Sequence, residues 1–221
     1  MQGVYRLIVD GEERLATINL TPGVQAYGEK LIVDGGVEYR LWDPFRSKLS
    51  AAIRKGLKTL PIKEGSRILY LGASTGTTAS HVSDMVGETG TVFCVEVSPR
   101  VARELMERCV KHRKNMIPII EDARRCDGYH SIFGRVDLVY CDIAQPDQTN
   151  IAIANCKHFL KKSGHLFIII KSRSIDVTKR PSDIYKEEEE KLKRASFEIK
   201  QTIELEPFDK DHALIHAIMD M

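Results

Sequence analysis

Residues 67–96 read RILYLGASTGTTASHVSDMVGETGTVFCVE, and the order of their parts decides the fold. RILYL is too short and too apolar for a surface helix, and it closes on Gly72, so it reads as a buried strand. The turn from Gly72 to Gly76 leads into a segment from Thr77 to about Met85 with helical patterning, after which TVFCVEV is again a short apolar run. Strand, turn, helix, strand is a βαβ unit, whose two strands run parallel. Gly72 and Gly76 give the turn a backbone that a ligand can approach closely, and the helix behind it offers free amides to an anionic group. The spacing is not GxGxxG, and Ser74 stands where many nucleotide folds carry a glycine.

The same alternation continues downstream through MIPII, VDLVYCDI, HLFIII, FEIKQTIEL and HALIHAIM, with helical segments at about 99–111, 148–160 and 181–195. Pro99 behind Ser98 is a helix start. The last two strands are joined only by EPFDKD, too short for a crossover helix, so that pair is expected to be antiparallel. Upstream the pattern differs. VYRLIV, RLATINL, EKLIV and VEYRLW are separated by Asp10-Gly11, Thr21-Pro22-Gly23 and Asp34-Gly35-Gly36, which predicts a small antiparallel β domain over residues 1–45. Leu49, Ile53 and Leu57 are spaced for a helix in a linker region, 46–65, that opens an α/β domain over 46–221.

Composition narrows the class. The 221 residues are 43% hydrophobic and 29% charged, which supports a globular core and excludes a disordered or fibrous chain. A net charge of +2 is far from the basic balance of a chain that grips nucleic acid alone, so a polyanion must be met by a local patch or through other subunits. The 5 cysteines are an odd number without a CxxC pair, which predicts reduced thiols, no disulfide framework and no metal site. Cys94 and Cys141 lie inside apolar runs and read as small buried hydrophobes. The opening MQGVYRLIVDGEERL lacks a basic-then-apolar leader, and no window approaches the ~20 apolar residues of a membrane span, so a cytoplasmic protein without membrane contact is expected. In KEEEEKLKR, residues 186–194, the pairs Glu187–Lys191, Glu189–Lys193 and Glu190–Arg194 are spaced for a solvated helix face.

Three acids stand at successive strand ends: Glu96, Asp122 and Asp142. The carboxyl ends of parallel strands form the ligand-binding edge of such a sheet, and an acid at the end of the second strand can accept hydrogen bonds from ribose hydroxyls. A rival reading exists, because Gly72-Ala-Ser74-Thr-Gly76 satisfies GxSxG and Asp142 with His212 would complete a serine-hydrolase triad in chain order. Against it, the turn follows the first strand of its sheet, no oxyanion-hole loop precedes it, and Glu96 and Asp122 are left without a task. A second constellation joins Lys48, Asp142, Lys171 and the Asp211-His212 pair. Lys171 ends an otherwise apolar strand, so its ammonium is expected on the same edge as Asp142.

The segments DPFRSKLSAAI, LGASTGTTASHVSD, VFCVEVSPR, VYCDIAQPDQ, IIIKSRSID and DHALI, in this order and spacing, resemble the fibrillarin family of guide-RNA-directed ribose 2′-O-methyltransferases, in its archaeal form without a glycine/arginine-rich extension. The resemblance runs from about Val37 to the C-terminus. It implies a class I S-adenosylmethionine-dependent methyltransferase: an α/β, Rossmann-like seven-stranded sheet with its last strand antiparallel, preceded by the small β domain. By motif, Thr77 and Thr78 would hold the methionine end of the cofactor, Glu96 and Val97 the ribose, and Asp122 and Ala123 the adenine. Asp142, Ile143, Ala144 and Gln145 would line the site beside the sulfonium. Val97 departs from the aromatic residue that commonly follows the ribose-binding acid. Lys171 would contact the 2′-hydroxyl, as base or as electrostatic partner of a developing alkoxide. Asp142 would orient it, and Lys48 and His212 would complete a tetrad. The implied partners are a Nop-domain scaffold protein, a box C/D guide RNA, a kink-turn-binding subunit resembling a ribosomal protein, and a substrate rRNA or tRNA. A non-catalytic subunit of the same assembly is the other reading left open.

Overall fold

The computed structural model describes residues 1–129 and 131–220. The first part is a four-stranded antiparallel sheet of β1 (Tyr5–Val9), β2 (Glu12–Ile18), β3 (Leu31–Asp34) and β4 (Val37–Leu41), in the order β1-β2-β4-β3. Its two hairpins are set by local chemistry. Val9 pairs with Glu12 and Asp34 with Val37, leaving two-residue loops, Asp10-Gly11 and Gly35-Gly36, whose φ angles are all positive (54° and 80°, 57° and 80°). Turns of that kind match the twist of the strands they join and demand residues that tolerate the left-handed region.

The helix α1 (Lys48–Arg54) follows, with the Ser47 hydroxyl accepting from Ser50 N at its start. It ends earlier than the apolar spacing predicts because Gly56 turns left-handed at φ 92°, though Leu57 is still buried. Then come β5 (Arg67–Leu71), α2 (Thr77–Val86), β6 (Thr91–Glu96), α3 (Pro99–Arg108), β7 (Met116–Ile120), β8 (Val136–Cys141), α4 (Gln148–Phe159), β9 (Leu160–Lys171), the single turn α5 (Ser172–Ile175), α6 (Pro181–Arg194), β10 (Phe197–Glu204) and β11 (His212–Met219). The sheet order is β10-β11-β9-β8-β5-β6-β7. Strands β5 to β9 run parallel to one another, and β11 runs antiparallel to both β9 and β10, the latter as the short connection requires. The strand β9 begins well before the expected HLFIII: Leu160 already pairs with Val136, and a left-handed Ser163 (φ 57°) carries the chain through the register shift that follows.

Side chains alternate across the sheet. Ile68 and Tyr70 join α1, α2 and α3 in one apolar layer, and Leu69 and Leu71 join α4 and α6 in the other. Because the chain winds from β5 toward β7 and then returns to lay β8 on the other side of β5, the order reverses there. Ligands bind outside the carboxyl ends of the strands at such a reversal.

The antiparallel sheet is joined to α2 by buried charge. Asp84 Oδ2 accepts from Arg40 Nη1 and Thr17 Oγ1, both at 2.7 Å, and its Oδ1 accepts from Leu20 N at 3.0 Å and from Arg113. Arg40 also donates to Glu29. The side chains of Arg40, Glu29, Asp84 and Arg113 are at most 2% exposed, and their two positive and two negative charges cancel. Beside them His81 lies between Thr17 Oγ1 (2.8 Å) and Tyr27 Oη (2.6 Å), stacked on Trp42. Burial, with Arg40 and Arg113 adding to it, holds its pKa well below the usual imidazole range.

The charged face of α6 pairs differently from its i,i+4 spacing. The contacts are Glu188–Lys191 and Glu190–Lys193, at i,i+3, while Glu187 is taken by Lys179 from the preceding loop. Glu188 is buried, so Lys191 reaches inward to it. All five cysteines are free thiols, and Cys94, Cys109, Cys141 and Cys156 are buried. Among the described residues no helix is long and apolar enough to cross a membrane.

Candidate functional site

The loop from β5 into α2 contains three left-handed residues, Gly72 (φ 78°), Ser74 (φ 51°) and Gly76 (φ 94°). Two of them have no room for a side chain. A Cβ on Gly72 would come within 2.9 Å of Asp142 O, and one on Gly76 within 2.5 Å of Cys109 Sγ. The loop is tied from across its mouth by Glu96 at the end of β6: Oε2 accepts from Ser74 N at 3.0 Å and Oε1 from Ser98 N at 2.9 Å. Thr78 Oγ1, in the first turn of α2, lies 2.9 Å from Ser47 Oγ, which joins this loop to the start of α1.

A cleft of about 420 Å³ opens along the strand ends. Gly72 and Glu96 stand on its wall with Val97, which is 62% exposed. Asp122 and Ala123 from the end of β7 form one side, and Asp142, Ile143, Ala144 and Gln145 from the end of β8, with Lys171 from β9, form the floor and far side. Gly76, Thr77 and Thr78 lie behind this wall, on the loop and first turn rather than on the cleft itself. Ser74, Glu121, Arg124 and Ile151 line the cleft too, although sequence reasoning did not place them there. Arg124 spans the mouth, donating to Gln145 Oε1 at 2.7 Å and pairing with Asp122 (3.4 Å) and Asp147 (3.3 Å).

At the floor, two lysines converge on one carboxylate. Lys171 Nζ is 2.8 Å from Asp142 Oδ1 and donates to the Asp142 carbonyl at 2.8 Å. The Oδ1 contact is an ion pair off the hydrogen-bonding direction, since that oxygen accepts no hydrogen bond by angle. Lys48 Nζ, from the first residue of α1, donates to Asp142 Oδ2 at 3.1 Å. His212 does not touch Asp142. Its Nδ1 is 2.8 Å from Asp209 Oδ1 and 2.7 Å from Lys210 O, and Asp209 Oδ2 lies 3.8 Å from Lys48 Nζ. Asp209 is therefore the link from His212 to the lysines. Burial would raise its pKa, but the hydrogen bond from His212 and the charges of His212, Lys48 and Lys171 outweigh that and hold it below the usual carboxylate value. Asp211, paired in the sequence reading with His212, instead takes Arg173 at 3.1 Å. The fully buried Gln148 props the same floor: with its nitrogen toward the Ile143 and Ile169 carbonyls (3.0 and 3.1 Å), its oxygen accepts from Lys171 N at 3.3 Å.

This geometry disposes of the hydrolase reading. Among the described residues Ser74 has no imidazole partner, His212 is held by Asp209 and Lys210, and Asp142 is committed to two ammonium groups.

The fibrillarin family model matches residues 1–221. The chain belongs to the fibrillarin family. It is 57% identical over 213 residues, 96% of this chain and 92% of the relative, to a fibrillarin-like rRNA/tRNA 2′-O-methyltransferase of Sulfolobus acidocaldarius. Among solved structures, Aeropyrum pernix fibrillarin in complex with natively bound S-adenosyl-L-methionine superposes with a TM-score of 0.90 at 48% identity, over 97% of this chain and 94% of that one. Fibrillarin from a fibrillarin/Nop5p complex superposes with a TM-score of 0.87 at 40% identity, over 98% and 97%. The fibrillarin likeness thus spans the antiparallel sheet as well as the seven-stranded one, beyond the stretch from Val37 that carried the resemblance in the sequence.

Proposed function

We propose that this chain is an S-adenosylmethionine-dependent rRNA/tRNA ribose 2′-O-methyltransferase acting inside a ribonucleoprotein. The observation that carries the reading is the convergence of Lys48 and Lys171 on Asp142 at the floor of a cleft walled by Gly72 and Glu96. The cleft fits the cofactor. Gly72 lines the cleft with bare backbone, packed too closely against Asp142 and Ile143 to carry a Cβ, and Glu96 presents a carboxylate fixed by two amides at the strand end where ribose hydroxyls bind. Asp122 and Ala123 would take the adenine, Thr77 and Thr78 the methionine end, and Asp142 to Gln145 the region of the sulfonium. When bound, S-adenosylmethionine supplies a methyl group that an oxygen nucleophile displaces in line from sulfur.

The protein's task is then alignment and management of one proton. Asp142 fixes Lys171 through an ion pair with its carboxylate and a hydrogen bond to its carbonyl, which spends one of the three ammonium donors and leaves others for the 2′-oxygen. Lys48, held between Asp142 and Asp209, and His212, held by Asp209, form the side of the site that receives the nucleotide.

With a net charge of +2, the chain has few groups to neutralise phosphates, which supply most of the affinity for a polyanion. We assign substrate delivery to partners: a Nop-domain scaffold, as in the fibrillarin/Nop5p complex, a box C/D guide RNA that pairs with the target, and a kink-turn-binding subunit. Residues 1–45 and the adjoining face of 46–221 are the docking side in this reading. The test compares methylation of a guide-complementary RNA, read by mass spectrometry of its fragments, by the isolated chain and by the reconstituted complex at physiological salt. Guide-dependent 2′-O-methylation by the complex alone is expected. Equal, guide-independent activity of the isolated chain would overturn the scaffold requirement, and tight cofactor binding without turnover in the full complex would make the chain a non-catalytic subunit.

A further inference from the structure

A second cleft, of about 400 Å³, lies between the antiparallel sheet and the α/β part, lined by the residues that lead into Lys48. Its walls include Tyr27, Trp42, Phe45, Arg46 and Phe208. We propose that it binds one unstacked nucleotide of the RNA substrate, next to the nucleotide being methylated, with the base against Phe45 and a phosphate on Arg46. This rests on the methyltransferase reading and adds a substrate subsite to it.

Three observations converge here. Phe45 is 68% exposed, yet it is not loose: its ring meets Phe208 edge-on at 5.2 Å and 72°, and its amide donates to Asp43 Oδ1 at 2.9 Å. A fixed, solvent-facing aromatic ring is what an unpaired base stacks on. Next, the cations of this cleft are unequal. Lys30 pairs with Asp10 and Arg54 with Glu13, both at 3.3 Å, but Arg46 has no carboxylate partner among the described residues. Arg46 lies over the Tyr27 ring at 4.6 Å and spends one donor on Tyr27 O at 3.1 Å, so most of its fork is free for a phosphate. Finally, both aromatic rings sit on the segments that carry the catalytic groups. Phe45-Arg46-Ser47 runs directly into Lys48, and Phe208 precedes Asp209, which holds His212 and faces Lys48. A nucleotide in this cleft would therefore lie on the side of the site formed by Lys48 and His212.

The experiment uses the assembled guide complex with 2-aminopurine placed in the substrate RNA at the methylated position or at either neighbour. One neighbouring position is expected to change fluorescence on assembly in a way lost in Phe45→Ala and kept in Phe45→Tyr. Single-turnover methylation should fall about ten- to hundredfold in Phe45→Ala, the scale of a lost base–aromatic stack, with cofactor affinity of the isolated chain unchanged. Arg46→Gln should weaken RNA binding and reduce its salt slope by about 1. If no position reports on Phe45, or if Phe45→Ala methylates at the wild-type rate, the subsite is refuted. A wild-type complex that methylates nothing would overturn the functional reading instead, and the fluorescence arm would still decide on the subsite.

Discussion

Replacing Glu96 tests the cofactor cradle most directly, because the structure assigns each of its oxygens. Oε2 accepts from Ser74 N and Oε1 from Ser98 N, so the carboxylate pins the glycine loop and the start of α3 while its remaining lone pairs face the cleft. In the proposed cofactor site, Glu96→Ala removes a charged acceptor from the ligand, and hydrogen bonds to charged groups contribute about 1.5–3 kcal/mol. At about 1.4 kcal/mol per factor of ten, S-adenosylmethionine binding should weaken roughly ten- to hundredfold. Glu96→Gln is the sharper probe. Its amide keeps the shape but has one acceptor oxygen, so its nitrogen must face either Ser74 N or Ser98 N, donor against donor. Glutamine should therefore lose nearly as much affinity as alanine, although it can still offer hydrogen bonds to a ribose. Calorimetric titration of the isolated variants, with thermal melts to verify folding, reads both. Dissociation constants within twofold of wild type for Glu96→Ala would remove Glu96 from the site, and wild-type binding by Glu96→Gln alone would refute the claim that both oxygens are engaged.

Lys171→Ala should bind the cofactor normally and lose at least about a hundredfold in single-turnover methylation in the assembled complex, on the general acid–base or electrostatic scale; a near wild-type rate would end the Lys48–Asp142–Lys171 model. Asp84→Asn leaves Arg40 and Arg113 with only Glu29 to balance them in the interior. Such a loss costs about 3–5 kcal/mol, so melting followed by circular dichroism should shift down by roughly 6–20 °C, and a shift under about 2 °C would mean that the charges are solvated. His216, 3.0 Å from His165, is held down to about 4 by burial first and then by the charges of His165 and Lys200, and His165 is also held low. The His216 ring is thus neutral in the fold down to acidic pH and charges readily only when the fold opens. The stability it contributes is whole above the unfolded value of 6.5 and is lost as pH falls from there toward 4. Urea midpoints should fall less steeply over that range in His216→Gln than in wild type, and parallel curves would contradict the shift.

What the sequence conveyed was set by local chemistry and chain connectivity. Asp10-Gly11 and Gly35-Gly36 admit few turn types, and EPFDKD is too short to allow anything but an antiparallel final pair. Glu96, Asp122, Asp142 and Lys171 could be placed on one edge because parallel strands all end there. Their assembly into one cleft follows from the order reversal beside β5, and what each does there belongs to the proposed function. Less visible were residues whose role depends on where a side chain turns. Asp209 stands among several charged residues in one loop, and the pattern gave no reason to prefer it to Asp211 as the partner of His212. Gln148 opens a helix, where a polar residue usually faces water, yet it is buried against Lys171. Arg124 follows Asp122 without any spacing that would announce a bridge to Gln145. The strand β9 began early because Lys161-Lys-Ser-Gly164 reads as a turn, whereas the left-handed Ser163 lets pairing run on.

The four buried charges that join the antiparallel sheet to α2 also constrain how this chain can change. Any one of Glu29, Arg40, Asp84 and Arg113, replaced singly, strands a charge in the interior, so no single-step path leads away from the set at low cost. Because Gly76, the last residue of the glycine loop, caps the start of α2, the same lock reaches that loop. A chimera that takes residues 1–45 from another protein must bring an arginine and a carboxylate to the places of Arg40 and Glu29, or rebuild Asp84 and Arg113 at the same time. The two parts are inherited as one.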